Sequence, residues 1–474
     1  MTKAKMFLGS EEKGTENFIE IKNPYNTNVV SSYPICSQED ARLALLKAKT
    51  ASQETKKSPL HQRISWLEDV ANKLEKDKEK FAKIICDEVG KPIALARGEV
   101  NRCIETIRLS AHTMISISGE SFDTTAAPSG KKSLAFFKRV PIGVALAITP
   151  FNFPLNLVAH KIAPALVSGN AVVLKPSSAA PFCAYSLAKL FIESQYAIKD
   201  ALSVVYSGEE VNDTLVTSEI PRVISFTGSV PVGKTIIKKA GIKKVALELG
   251  GNAATFIDKS ANLKDAAKKC AVGAFVNSGQ VCISLQRIYV HTEVYDEFAK
   301  LLAQETKKLI VGNPYDEKTF IGPMIDEDAI DKAKIWIANA KREGAKVLEG
   351  GDNEGLILEP TIMVDVKEDM NIVCQEVFAP IVSLIAKDSY EEAKKSMNDS
   401  DFGLQYSIFT RDLSLAIRAM DELDAGGVVI NDIPTLRFDI QPYGGFKQSG
   451  IGKEGPKFAI EEDYTQVKSV VVCS

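Results

Sequence analysis

The chain reads as an α/β protein with more than one core. Three observations predict this. Short apolar runs alternate with helical stretches from Ile142 to Leu249. The alternation resumes, more widely spaced, between Cys282 and about Asp432. And 474 residues exceed what one core holds, so two or three domains are expected.

Composition excludes several classes. Apolar residues make up 45% and charged residues 25%, the balance of a water-soluble globular chain. A net charge of −3 gives no general attraction to nucleic acid or to an anionic membrane. No run approaches the roughly 18 apolar residues that span a bilayer. The first ten residues hold lysines but too short an apolar run for a secretory signal. The 8 cysteines are scattered, with no C-x-x-C, which suggests neither a disulfide framework nor a zinc site. A reducing cytoplasm is the expected compartment.

Taken in order, residues 1–35 read as strands and turns, with a turn at Asn23–Thr27. Ser37 or Asp40 caps an Ala/Leu-rich helix. A second helix follows Pro59, with Leu60, Ile64, Leu67, Ala71 and Leu74 on one face. Helix continues to Cys86 and again from Ile93 to Ser116. Residues 119–132 are polar and turn-rich, and 133–140 are strand-like, as in an arm outside the core. Strands are then expected at 142–148, 171–174, 202–206, 223–226 and 245–249, with helices at 155–168, 182–194 and 232–240 between them. Short apolar strands separated by helices form a parallel sheet covered on both faces. Leu263, Ala266, Ala267, Cys270, Ala271 and Ala274 follow helical spacing up to the stretch that holds Cys282. Further strands are expected at 287–291, 381–385 and 427–430, and helices at 295–309, 326–344 and 390–397. The last strand, 464–472, has no partner in these units. Together with the arm it suggests pairing with another subunit.

Cys282 follows the turn Ser278-Gly-Gln280, where a buried helix gives way to a loop. Such a thiol can face a cleft, although a cysteine taken alone is more often a small buried hydrophobe. Four other groups give it company. Phe226-Thr227-Gly228-Ser229, with Gly233, follows a strand and opens a helix, where backbone N–H groups bind phosphate; a plain strand-to-helix turn looks the same. Ile148-Thr149-Pro150-Phe151-Asn152-Phe-Pro154 leaves the end of a strand, where α/β sheets bind ligands, and the Asn152 amide could donate to an oxyanion or simply form a turn. Glu248 ends an apolar strand, where a lone charge is costly unless paired or used as a base. Gln375-Glu376-Val-Phe378 alternates a carboxylate with an aromatic ring, which could hold a ribose and a flat ring or cover a strand end.

These groups, with Lys175-Pro-Ser177, Glu248-Leu-Gly-Gly251, Gly279-Gln-Val-Cys282 and Pro442-Tyr-Gly-Gly445, resemble the aldehyde dehydrogenase superfamily in order and spacing over nearly the whole chain. The resemblance implies a Rossmann-like dinucleotide-binding domain (1–118 and 139–249), an α/β catalytic domain (250–432) and a small β oligomerisation arm (119–138 and 455–474). It implies that Cys282 is the nucleophile, that Asn152 helps hold the oxyanion and that Glu248 activates water. Glu248 argues against the CoA-acylating branch. It places NAD or NADP on Ile148, Thr149, Pro150, Lys175, Ser177, Ser178, Gly208, Thr227, Gly228, Ser229, Gly233, Leu249, Glu376 and Phe378. Many NAD-preferring members carry Glu at the position of Ser178. Serine would not repel a 2′-phosphate and does not forbid NAD. His160, Arg437 and Arg108 resemble anion-recognising residues of relatives that oxidise lactaldehyde, semialdehydes or phosphonoacetaldehyde, although a satisfied core histidine and solvated arginines look the same, and Phe151 and Phe446 could also line the pocket. The expected substrate is a small polar or anionic aldehyde, and the expected assembly a homodimer or homotetramer. A cysteine thioesterase without a redox role, or a non-catalytic binding protein on the same fold, are the rival readings.

Overall fold

The computed structural model describes residues 2–206 and 208–473. One sheet runs Glu11–Lys13, Met6–Leu8, Leu202–Val204, Ala171–Lys175, Val144–Ile148, Val223–Thr227, Lys244–Glu248, Gly450–Ile451. Its middle strands, from Leu202–Val204 to Lys244–Glu248, are parallel, and the strands at both ends add antiparallel. These middle strands are continuous Val/Ala/Leu/Ile runs because both of their faces are covered. Helix Asn156–Val167 lies wholly buried against them. The chain order reverses at Val144–Ile148, whose two neighbours are Ala171–Lys175 and Val223–Thr227. Ligands bind α/β sheets at such a reversal, beyond the carboxyl ends of the strands.

The other large sheet runs Lys346–Glu349, Thr361–Val364, Ile381–Lys387, Leu285–His291, Ala253–Ile257, Gln405–Phe409, Gly427–Ile430. All neighbours are parallel except Lys346–Glu349. The strand Gln405–Phe409 does not show in the apolar pattern because Gln405 and Ser407 interrupt it. Both are buried and satisfied: Ser407 Oγ donates to Thr255 Oγ1 at 2.7 Å and Gln405 Nε2 to Pro434 O at 2.7 Å. Helix Glu209–Thr217 likewise escapes the pattern, being short with few apolar anchors.

The first helix, Gln38–Lys57, begins at Ser37, whose side chain accepts from Asp40 N while Asp40 returns a bond to Ser37 N. Both candidate caps therefore take part in one capping box.

Two expectations about the arm are corrected. Thr465–Val472 is not without a home in its own chain. It pairs antiparallel with Leu134–Pro141, from Thr465 against Pro141 to Val472 against Leu134, and Glu120–Ser121 adds on the far side. The two orphan segments of the sequence are each other's partner. Residues 455–464 are not arm: Ala459, Ile460 and Tyr464 are buried in the first core. Among the described residues, no helix is long and apolar enough to cross a membrane.

Candidate active site

A cavity of about 960 Å³ opens where the strands Val144–Ile148, Ala171–Lys175, Val223–Thr227 and Lys244–Glu248 end. Ile148, Thr149, Pro150, Phe151, Asn152, Lys175, Ser177, Ser178, Thr227, Gly228, Ser229, Leu249, Glu376, Phe378 and Cys282 all line it. Residues dispersed over more than two hundred positions of sequence thus share one wall.

Cys282 is held by a strained approach. Asn277, Ser278 and Gly279 are consecutively left-handed, with φ of 52°, 56° and 68°. Such residues persist only where their surroundings hold them. Here Ser278 Oγ donates to Gly322 O at 2.8 Å, and Gln280 Oε1 accepts from Ile325 N at 3.0 Å. A Cβ on Gly279 would stand 2.1 Å from Ala379 O, and one on Gly251 2.1 Å from Cys282 O. The glycine of Glu248-Leu-Gly-Gly251 is therefore what lets that loop touch the backbone of the thiol. A Cβ on Gly250 would lie 2.5 Å from Glu376 Oε2, and Glu376 Oε1 accepts from Gly251 N at 2.9 Å. The three motifs are locked to one another through backbone.

Asn152 Nδ2 donates to Gln280 O at 3.0 Å, which spends one of its two N–H bonds and leaves the other for a ligand. Its loop is fixed from below. Lys91, buried, donates to Asn152 O at 2.7 Å and pairs with Glu99, which accepts from Leu155 N at 2.8 Å. Lys91 and Glu99 carry no motif signal.

The charges set the chemistry. Burial pushes the Cys282 thiol up to about 12; Tyr443 and Arg437 pull it down, and Glu248 and Glu376 push it further up. Burial, then the neighbouring Glu454, holds Glu248 well above the usual carboxylate range, and its Oε2 has no hydrogen-bond partner. A protonated, partly unsatisfied carboxyl that the thiol feels electrostatically can give up its proton and then serve as a base. Burial brings Lys175 down to about 8. Burial raises Glu376 to about 7 against the Gly251 N–H and Lys332.

Behind the thiol lies a buried ionic chain that the motifs do not reveal. Arg437 donates to Glu454 at 2.9 Å, and Lys161 to the other oxygen of Glu454 at 3.3 Å. His160 meets Asp439 at 2.9 Å, and Asp439 accepts from Arg102 at 2.7 Å. Burial would raise both carboxyls, but Lys161, Arg437 and His160 bring Glu454 down to about 2, and His160 and Arg102 hold Asp439 well below the carboxylate range. Burial and then Arg437 depress His160, so it is neutral.

This chain corrects part of the expected pocket. His160 and Arg437 do not line the cavity; each is buried and already bonded to a carboxylate. Arg108 sits on the outer face of helix Ile93–Ser116, tied to Glu75 at 2.7 Å and to Asn72 at 2.9 Å, and faces helix Leu60–Lys76 instead. Six positions earlier on that helix, Arg102 faces the other way, toward Asp439 and the Phe153 ring. Phe446 is 45% exposed, in a two-residue strand beside Phe402–Gly403. Phe151 does reach the cavity, where its ring meets Phe378 edge-on at 6.1 Å. Gly208 begins helix Glu209–Thr217, and Gly233 packs against Leu249; neither lines the cavity. Asn212, Asp213 and Val216 line it in their stead.

The cavity suits a dinucleotide. Helix Val230–Ala240 opens into it, with no side-chain cap on its first amides and no acidic residue in its first turn. Such an end binds pyrophosphate. The Lys175 ammonium lies on the same wall with no carboxylate paired to it among the described residues.

The aldehyde dehydrogenase family model matches residues 10–470. A 3-sulfolactaldehyde dehydrogenase of Priestia aryabhattai is 43% identical over 458 residues, which is 96% of this chain and 95% of that protein. The crystal structure of aldehyde dehydrogenase 21 from Physcomitrella patens, in complex with the product succinate, superposes with a TM-score of 0.96 at 36% identity, over 99% of this chain and 98% of that one. The NADP-dependent glyceraldehyde-3-phosphate dehydrogenase of Bacillus halodurans C-125, complexed with NADP, gives 0.96 at 34% identity, over 99% of both chains. With a thiol and an amide on the wall of a dinucleotide-sized cleft, the chain belongs to the aldehyde dehydrogenase family and is an NAD(P)-dependent enzyme.

Proposed function

We propose that this enzyme oxidises a small aldehyde bearing an anionic or strongly polar group to the carboxylic acid. The Cys282 thiol gives its proton to solvent, and its sulfur adds to the aldehyde carbon. The free Asn152 N–H and the Cys282 backbone N–H hold the oxyanion; losing one such donor typically costs about 3–4 kcal/mol. When bound, NAD or NADP supplies the hydride acceptor. Cys282 is left as a thioester, and Glu248, once deprotonated, takes a proton from the water that releases the acid. Lys175, Ser177 and Ser178 would hold the adenosine ribose, the helix after Ser229 the pyrophosphate, and Glu376 and Phe378 the nicotinamide end. Lys175 beside Ser178 leaves room for a 2′-phosphate and supports NADP alongside NAD. A thioesterase would have no use for this cleft.

One observation carries the anionic substrate: the ionic chain behind the thiol, with Arg102 at its partly exposed end, has three cations to two ionised carboxylates. Arg102, Lys161 and Arg437 outnumber the ionised Asp439 and Glu454, while Glu248 is held protonated and His160 neutral. A net positive field favours an anion near Cys282. The three relatives described above, named for a sulfonate, a phosphate and a product dicarboxylate, support the same reading. Arg102, 32% exposed at its side chain, is the most accessible cation of the three, though like the other two it is bonded to a carboxylate and does not line the cavity.

Initial rates on lactaldehyde, succinate semialdehyde, glyceraldehyde 3-phosphate, phosphonoacetaldehyde and benzaldehyde, each with NAD and with NADP, test this. The expected result is the highest kcat/KM on a charged aldehyde, reduced about tenfold by Arg102→Ala and unchanged by Arg108→Ala. Highest activity on benzaldehyde would sink the anionic substrate and leave the family assignment intact. We further propose a homodimer or homotetramer built on the free edge of Thr465–Val472, where Val467, Val471 and Val472 are exposed; a monomer by light scattering would contradict it.

A further inference from the structure

We propose that Tyr443 is a further catalytic residue, whose phenol O–H donates to the Cys282 sulfur and stabilises the thiolate. The proposal rests on Cys282 being the nucleophile. The Tyr443 hydroxyl lies 3.0 Å from Sγ. The side chain is 3% exposed. Its backbone is fixed by reciprocal bonds with Glu454, Tyr443 N to Glu454 O at 3.1 Å and Glu454 N to Tyr443 O at 2.6 Å. The Arg437 guanidinium stacks on the ring with its carbon 3.7 Å from the centroid. A cation on the ring face draws electron density from the phenol and makes its O–H a stronger donor. Arg437 is itself held by Glu454, so the stack is built from the ionic chain described above.

The strongest influences on the thiol among the described residues then have a stated sign. Glu248, on the strand Lys244–Glu248, and Glu376, after helix Asn371–Cys374, disfavour the thiolate when ionised. Tyr443 and Arg437, from the loop before Gly450–Ile451, favour it. The phenol and guanidinium oppose the two carboxyls in sign. This also gives Arg437 a task that its burial allows: it acts through Tyr443, as a positioning residue, without touching the substrate. No bond to hydrogen breaks in this step. The proton stays on the phenol, and the hydrogen bond loosens as sulfur turns its electron pair to the aldehyde carbon.

The test is the pH profile of Cys282 alkylation by iodoacetamide, followed by mass spectrometry of the Cys282 peptide, in the wild type and in Tyr443→Phe. The variant removes one oxygen and keeps the ring and its stack; a melting curve checks that it folds. Losing a hydrogen bond to a charged sulfur should lower the thiolate fraction about tenfold, and because a less stabilised thiolate is also more nucleophilic, the alkylation rate between about pH 7 and 10 should fall about threefold. Aldehyde kcat/KM at neutral pH should fall by the same about threefold. An unchanged alkylation profile in a folded Tyr443→Phe overturns the proposal, whatever happens to turnover. Because alkylation needs no turnover, this outcome is distinct from a failure of the nucleophile assignment, which would show as Cys282→Ala keeping its aldehyde activity.

Discussion

The cleft and the ionic chain behind it are built in opposite ways. The cleft is lined by backbone turns, a helix end and a few polar groups, and among the described residues its Lys175 has no paired carboxylate. The ionic chain is almost entirely side chains, buried and paired through Arg102, Asp439, His160, Arg437, Glu454 and Lys161. The cleft is set by where the chain can approach itself; the ionic chain is set by charge balance. A small error of shape should therefore damage the first, and a change of one charge the second.

Gly251→Ala should give the larger effect on turnover. The added Cβ meets the Cys282 carbonyl oxygen at 2.1 Å, so the nucleophile must shift. A displacement on the order of 1 Å costs about a hundredfold in kcat. Steady-state kinetics with a normal melting curve would check it, and a kcat within threefold of wild type would show that the loop yields without moving the thiol.

Glu454→Gln should act mainly on stability. It leaves Lys161 and Arg437 buried without their carboxylate, a break that typically costs about 3–5 kcal/mol. Removing that charge also removes the second largest influence holding Glu248 protonated, so the rising, acid-side limb of the pH–rate profile should move to lower pH. Denaturant midpoints and a pH–rate series separate the two effects. A variant as stable as wild type would mean that the ionic chain tolerates an unbalanced charge.

The smallest effect comes from protons. Burial raises Glu376 and Glu88 each to about 7 in the folded state. A carboxyl whose folded value is raised above its unfolded one contributes stability that is complete below about pH 4.5 and is lost as pH rises through 7. Buried neutral His160 works the other way, because the unfolded histidine takes a proton below about pH 6.5. These two carboxyls, with Asp463 also raised to about 7 and Glu248 held above the carboxylate range, against one depressed histidine leave the protein less stable at pH 8 than at pH 6. A melting temperature that rose from pH 6 to pH 8 would contradict this balance.

The same contrast explains what the sequence discloses. Cys282, Asn152, Glu248, Ser229 and Phe378 stand in motifs because the chemistry needs them beside glycines and turns that close approach demands, and those leave local marks. The strands near the cleft are legible for a related reason: coverage on both faces makes them unbroken apolar runs. Lys91, Glu99, Lys161 and Glu454 leave no local mark. Each is an ordinary charged residue until folding brings it to a partner, and Arg437 and Glu454, 17 positions apart, are joined only by the loop between them. Arg108 and Arg102 make the point on a single helix. Nothing in their spacing says which one faces the site, since both suit a solvated face. Tyr443 belongs to a legible motif, but its hydroxyl gains meaning only from the 3.0 Å to Cys282. The arm shows the limit in topology: two segments without visible partners prove to pair with each other.

The central claim is that Cys282 carries the acyl group and Glu248 releases it. The direct measurement is to mix Glu248→Gln with aldehyde and NADP, quench in acid, and weigh the Cys282 peptide. The account predicts a burst of reduced nicotinamide of about one per site, followed by slow turnover, with the acyl mass on Cys282. An unmodified Cys282 peptide alongside undiminished steady turnover would contradict it.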